Sequence, residues 1–146
     1  RHTRSGSVTG VQTCALPIFV ALQRKVDYTV SWHAAAGNAP TTYVGGLDKA
    51  LIKKVKAELR AEGFPVAQSA PPELGGNSPD NITNRNHRAK GVQLEISRGQ
   101  RKKFFSTGNL TRTWVENPNH RTCAFHRYVA AVNRALGITT AVLCKR

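Results

Sequence analysis

Apolar and polar positions alternate in two stretches of the chain and recur at helical spacing in two longer ones. In "VDYTVSWH", residues 26–33, Val26, Tyr28 and Val30 face one way and Trp32 follows, which predicts a strand ending at His33. "AAAGNAP" is then a loop with Gly37, Asn38 and Pro40 as turn residues, and "TTYVGG" is a second short extended piece stopped by two glycines. The cleaner alternation is "GVQLEIS", with Val92, Leu94 and Ile96 on one side and Gln93, Glu95 and Ser97 on the other. Leu47, Leu51, Ile52, Val55 and Leu59 form an apolar stripe and predict a helix from Lys49 to about Glu62. Asp48 would cap it and Gly63 would end it, while Lys53, Lys54, Lys56 and Arg60 lie on its wet side. Phe125, Tyr128, Val129, Val132 and Leu136 set a last helix from about Asn119 to Leu136, and Gly137 follows.

Two stretches break this pattern. "FPVAQS" predicts a further short strand that Pro65 confines to an edge. Residues 69–91, "SAPPELGGNSPDNITNRNHRAKG", show no period and hold three Pro and three Gly. A loop of that length is usually functional or disordered. The order strand, helix, strand, loop, strand, helix argues for an α/β layer fold, a mixed sheet flanked by helices.

Composition changes the picture in one respect. With 40% hydrophobic and 21% charged residues, the 146-residue chain suits one packed domain. Its charge is the unusual quantity: 22 Lys and Arg face 8 Asp and Glu, a net +14. A field of that sign concentrates polyanions, of which nucleic acid, an acidic polypeptide or an anionic surface would all serve. Cys14, Cys123 and Cys144 are odd in number and form no C-x-x-C pair, so neither a disulfide framework nor a zinc–cysteine site is indicated. No run of about 20 apolar residues occurs, which leaves no predicted membrane span. Val8 to Val20 is a poor signal peptide, since Gln12, Thr13 and Pro17 interrupt it.

Four places could carry chemistry. His33 ends a predicted strand before a small-residue loop, where α/β sheets gather ligands. It reads as a metal ligand or general base, or as a half-buried His bonded to a nearby carbonyl. Glu95 lies mid-strand among apolar neighbours, and so is either a paired or working acid or part of the solvated face of an antiparallel strand. "NITNRNHR" sets Arg85 beside Asn84, a guanidinium that could grip a carboxylate or phosphate, or a plain solvated basic loop. "RGQRKK", from Arg98 to Lys103, is a polyanion track or a wet helix face. Trp114, Phe104 and Phe105 could stack on bases, but aromatics are 7% of residues and are not interleaved with the basic runs, which counts against a single-strand nucleic-acid platform. No P-loop, H-E-x-x-H or G-x-S-x-G motif occurs.

"YVGGLDKALIKKVKAELRAEGFPV" and "NSPDNITNRNHRAKGVQLEISRGQR" together resemble the C-terminal half of the poly-γ-glutamate hydrolase family, over about Val26 to Leu136. The joined pattern N-I-x-N-R followed by G-V-Q-L-E-I-S-R-G carries the likeness. The resemblance implies a zinc-carboxypeptidase-like mixed sheet flanked by helices, and one zinc held by a His and a Glu of an early H-x-x-E-type motif and by a later His at a strand end. "SWHAAAG" is similar to the segment of that later ligand, which implies His33; "VQLEIS" is similar to the strand of the general base, which implies Glu95. Arg85, with Asn84 and Arg98, would receive substrate carboxylate. Zinc would lower the pKa of a bound water and polarise the amide carbonyl, and a carboxylate would pass the proton to the leaving amine.

The early pair of ligands has no match. None of His2, His33, His87, His120 and His126 has a Glu three residues later. The expectation is a truncated hydrolase, residues 19–146 being the C-terminal part of one domain, inactive and poor at binding zinc. Within residues 1–18, "VTGVQTCALPI" resembles the translation of a common sequencing adapter, so Arg1 to Ile18 are expected to pack poorly and Cys14 to lack a partner. The family implies poly-γ-glutamate or another anionic polymer as partner, a monomer, and an extracellular or phage-associated setting. The competing expectation is a non-catalytic basic module binding nucleic acid or another polyanion, which requires its Lys and Arg to form a continuous stripe.

Overall fold

The structure, a computed structural model, describes residues 18–142 and residue 144; the expectations for Arg1 to Pro17, including Cys14, lie outside the described residues. Three strands form one mixed sheet: β1 (Val30–Ala35), β2 (Thr42–Gly46) and β3 (Val92–Ser97), in the order β1-β3-β2. The central β3 runs parallel to β1, with Val30 opposite Val92 and Ala35 opposite Ser97, and antiparallel to β2, with Thr42 opposite Ile96. The helices are α1 (residues 18–23), α2 (Lys49–Ala61), α3 (Arg98–Lys103), α4 (Arg112–Glu116) and α5 (Cys123–Ala135). Short 3-10 turns occur at Pro72–Leu74, Ile82–Asn84, Ser106–Gly108 and Pro118–His120.

Helix α2 follows from local signals. Asp48 Oδ1 accepts from the Leu51 N–H at 3.1 Å, and Gly63 leaves the helix at φ +81, a left-handed conformation that suits glycine. The apolar stripe Leu51, Ile52, Val55 and Leu59 is buried against Val44, Val92, Leu94 and Ile96 of the sheet and Tyr128, Ala131, Val132 and Ala135 of α5. Burying each large member contributes roughly 1.5–3 kcal/mol. Phe64, Phe104, Phe125 and Tyr128 close the core, and successive rings meet edge to face with centroids 4.9–6.4 Å apart.

Four sequence expectations need correction. The first strand spans Val30–Ala35 rather than residues 26–33, because pairing with β3 sets its limits and the Val26 carbonyl takes the His87 N–H at 3.0 Å instead. "FPVAQS" forms only a bridge from Val66 to Thr42 at the outer edge of β2, where the Pro65 carbonyl accepts the Thr42 N–H. Helix α5 starts at Cys123, not near Asn119: Pro118–His120 makes its own turn, and the Thr122 hydroxyl caps the helix by accepting from the Phe125 N–H. Cys123 and Cys144 are joined as a disulfide with Cα atoms 5.5 Å apart, so the odd cysteine count misled.

The second face of the sheet is covered by the long loop. Thr83 Oγ1 lies 2.6 Å from Ser31 Oγ, and Gly91 passes so close that a Cβ there would meet the Thr83 carbonyl oxygen at 2.1 Å.

Candidate functional site

The register places His33 of β1, Glu95 of β3 and Tyr43 of β2 in one row across the sheet. Partners in register point to the same side, so all three share the loop-covered face, with Ser31, Gln93 and Gly45 as the next row. Glu95 is only 7% exposed, so it is not part of a solvated face. Its Oε1 accepts from Gln93 Nε2 at 3.1 Å, Gln93 Oε1 accepts from Asn81 Nδ2 at 2.8 Å, and Asn81 Oδ1 accepts from the Thr83 N–H at 3.0 Å. Among the described residues no Lys, Arg or His forms an ion pair with Glu95. A buried acid with one neutral donor and no cation is costly to keep unless the site uses it. His33 stands exposed on the outer strand, and no described residue hydrogen-bonds its ring, unlike the carbonyl-bonded His that was the other sequence reading.

Asn84 and Arg85 sit on the loop that the relay ties to Glu95. Asn84 Oδ1 accepts from the N–H groups of Leu47 (3.2 Å) and Gly91 (3.0 Å), and Nδ2 donates to the carbonyls of Gly76 (2.7 Å) and Ser78 (2.9 Å). Those four bonds use the whole amide, leaving none of it for a ligand. Arg85 follows directly. Its guanidinium reaches Asp80 at 3.4 Å, but the Asp80 side chain is 90% exposed, so the pair is weak and the guanidinium stays available. Arg98 is exposed one residue beyond β3, at the start of α3. Arg101 instead donates to the carbonyls of Ile96 and Ala35, lacing the ends of β3 and β1 together. The structure therefore brings His33 and Glu95 together, fixes Arg85 through Asn84, and sets Arg98 at the carboxyl end of β3. Sequence reasoning missed the Asn81–Gln93 relay. Its one visible signal was the unbroken polar side of "VQLEIS".

Zinc does not fit the described residues by themselves. Among them no three His, Cys, Asp or Glu lie close enough together to hold a metal ion, and a catalytic zinc takes three protein ligands. A cleft of about 480 Å³ lies elsewhere, walled by Asp48, Glu58, Arg88 and Arg134, and one of about 410 Å³ borders His33 at the outer strand and is otherwise walled by Trp32, Ile96, Phe104 and Tyr128.

Comparison with known proteins gives one consistent answer. A family model described as poly-gamma-glutamate hydrolase matches residues 13–131. The SPbeta prophage-derived UPF0714 protein YoqZ of Bacillus subtilis (strain 168) is 32% identical over 120 residues, 81% of this chain and 42% of that protein. UPF0714 protein YmaC of the same organism is 32% identical over 112 residues, 75% of this chain and 46% of that protein. Among solved structures, a bacteriophage poly-gamma-glutamate hydrolase superposes with a TM-score of 0.76 at 31% identity, over 84% of this chain and 58% of that one. Zinc-free apo YndL superposes with a TM-score of 0.71 at 25% identity, over 83% and 58%. The chain spans less than half the length of the curated relatives it matches.

Proposed function

The chain belongs to the poly-γ-glutamate hydrolase family, and from that premise we propose that it supplies the general base and the carboxylate-binding side of a hydrolase acting on γ-glutamyl amide bonds. The observation that carries this reading is Glu95, buried, without a cation, and beside His33. Gln93 holds one oxygen of the Glu95 carboxylate, leaving the other to take a proton from the attacking water and deliver it to the leaving amine nitrogen. Arg85 and Arg98 receive the α-carboxylates that a γ-linked glutamate polymer carries on every residue. Asn84 acts through Arg85 by fixing its loop. His33 offers zinc a single ligand; the described residues do not complete a set, so no step of this mechanism passes through the metal. Of the rings that the sequence offered for stacking on bases, Phe104 is buried and Trp114 stacks on His120 with centroids 3.6 Å apart.

The purified chain is expected to retain less than one zinc per molecule and to leave poly-γ-glutamate uncut, measured by elemental analysis and by polymer size on gel filtration. Stoichiometric zinc with cleavage would overturn that expectation. The base is tested in a chimera in which residues 26–136 replace the matching part of the bacteriophage hydrolase. Glu95→Gln should lower its hydrolysis rate by roughly 10²–10⁴. Equal rates for the two chimeras would remove Glu95 from the mechanism.

A further inference from the structure

Helix α2 carries its charges on two different sides. Glu58 and Glu62 face α5, where Arg134 and Arg127 take them at 2.8–2.9 Å. Lys49, Lys53, Lys56 and Arg60 follow the spacing i, i+4, i+7, i+11, which confines them to about 60° of the helix surface at 100° per residue. None of the four forms an ion pair with an acid among the described residues. Such a row is unfavourable to the helix. Like charges one turn apart repel, and Lys49 occupies the first helical position, where the helix dipole disfavours a cation. The Lys56 ammonium is held below the usual lysine range by burial and then by Arg60 and Lys49.

Three of the four are also held in place. Lys49 Nζ donates to the Gly46 carbonyl at 3.1 Å, Lys56 Nζ to that of Gln68 at 2.8 Å, and Arg60 to that of Val66 at 3.4 Å. Carbonyls fix these side chains without neutralising them. A cleft of about 280 Å³ runs beside the row, lined by Lys49, Ile52, Lys56, Gln68 and Gly75. The four cations span about 16 Å, with successive positions about 4.5–6 Å apart along the axis.

We propose that this row on α2 is an accessory binding track for a linear polycarboxylate with one carboxylate per γ-linked residue. Five backbone bonds per repeat make that spacing roughly 6 Å when extended, which matches the row. Lysine point charges suit single carboxylates, and no aromatic residue lies on α2 to stack on bases, so the polycarboxylate is favoured over single-stranded nucleic acid. The choice of polymer rests on the proposed function; the location of the track does not. It lies at the β2 side of the sheet, away from the His33–Glu95 row, and would hold the polymer while another stretch of it is cut.

The test is equilibrium binding of fluorescein-labelled poly-γ-glutamate to the full chain, read by anisotropy at stepped salt. Lys53→Glu/Lys56→Glu/Arg60→Glu should weaken binding by about tenfold or more at low salt and flatten its salt dependence. Lys25→Glu/Lys54→Glu/Lys102→Glu makes the same change in net charge on exposed lysines outside the row, Lys54 lying on α2 about 100° around the helix from Lys53, and should weaken it by less than about threefold. Equal losses from the two variants would reduce the track to net charge and overturn it. Because the row variant could misfold, amide resonances of the unsubstituted chain provide a second reading. Polymer should move those of residues 49–60 and 68–69, and movement confined to residues 98–103 would overturn the proposal. Tighter binding of single-stranded DNA of equal charge at the same residues would overturn the ligand class. Neither result depends on hydrolysis, so failure of the track and failure of the catalytic reading remain separate outcomes.

Discussion

Asn84 joins four backbone groups from three parts of the chain, at Leu47, Gly76–Ser78 and Gly91. Replacing it with Ala strands two N–H donors and two carbonyls, of which the Gly91 pair partner is buried. Asn84→Ala should therefore cost about 3 kcal/mol in urea unfolding, and Asn84→Asp, which keeps the acceptor, should cost less. Unchanged stability with weakened polymer binding would instead return Asn84 to a ligand-contact role. Tyr128 is a second residue whose stake is legible atom by atom. It is buried in the aromatic cluster and its hydroxyl pairs with Thr42 Oγ1 at 2.9 Å. Burial pushes its phenol well above the ordinary tyrosine value. The folded state thus keeps a proton that the unfolded chain releases near pH 10, so this contribution is full below about pH 10 and is lost as pH rises further. Tyr128→Phe should flatten the alkaline limb of the stability–pH curve while costing about 1–2 kcal/mol at neutral pH for the unpaired Thr42 hydroxyl. An unchanged alkaline limb would assign that limb to other groups.

At the scale of elements, the seam between α2 and α5 is held by apolar packing and by Glu58 and Glu62 against Arg127 and Arg134. The hydrogen bond from Arg127 is the main reason that the Glu62 carboxyl lies below its usual range; burial opposes the shift, and Arg134 adds to it. A depressed carboxyl contributes stability above the unfolded value near pH 4.3 and loses it as pH falls through the folded value. Glu62→Gln should therefore destabilise by about 1–2 kcal/mol at neutral pH, and the gap to the parent should close in acid. A gap that persists in acid would mean that packing, not charge, is lost. Helix α2 was readable from sequence because its cap, stripe and stop are all local. Strand β3 was readable because its alternation is unbroken, and the same alternation exposed Glu95. The rest depends on distant partners. The limits of β1 are set by β3, about 60 residues on. The start of α5 depends on a 3-10 turn that apolar spacing does not show. The disulfide partner of Cys123 is 21 residues away with no motif between them. In the site, Glu95, His33 and Arg85 stood out by residue type and position, whereas Asn81 and Gln93 gain their roles only once the loop folds over β3.

For the molecule as a whole, two properties oppose each other. The sheet order leaves the outer edge of β1 unpaired among the described residues, and Trp32 on that strand is 47% exposed beside the 410 Å³ apolar cleft. Tyr28, Val26, Phe19 and Leu22 add exposed apolar surface earlier in the chain. An open strand with an aromatic side chain invites edge-to-edge pairing. Against this stands the net charge of +14, which keeps copies apart as long as it is not screened. The screening length falls from about 10 Å at 0.1 M salt to about 3 Å at 1 M, so added salt removes the repulsion and leaves the apolar edge. The chain should be monomeric at low ionic strength and associate as salt rises, with Trp32 fluorescence shifting to the blue as its ring leaves water. Light scattering behind gel filtration measures the first and emission spectra the second. Trp32→Lys places a charge on the edge and should suppress the association at a small cost in stability, since the ring is half exposed in the monomer. Association that weakens with salt, or that survives Trp32→Lys unchanged, would move the contact to a charged surface and away from β1.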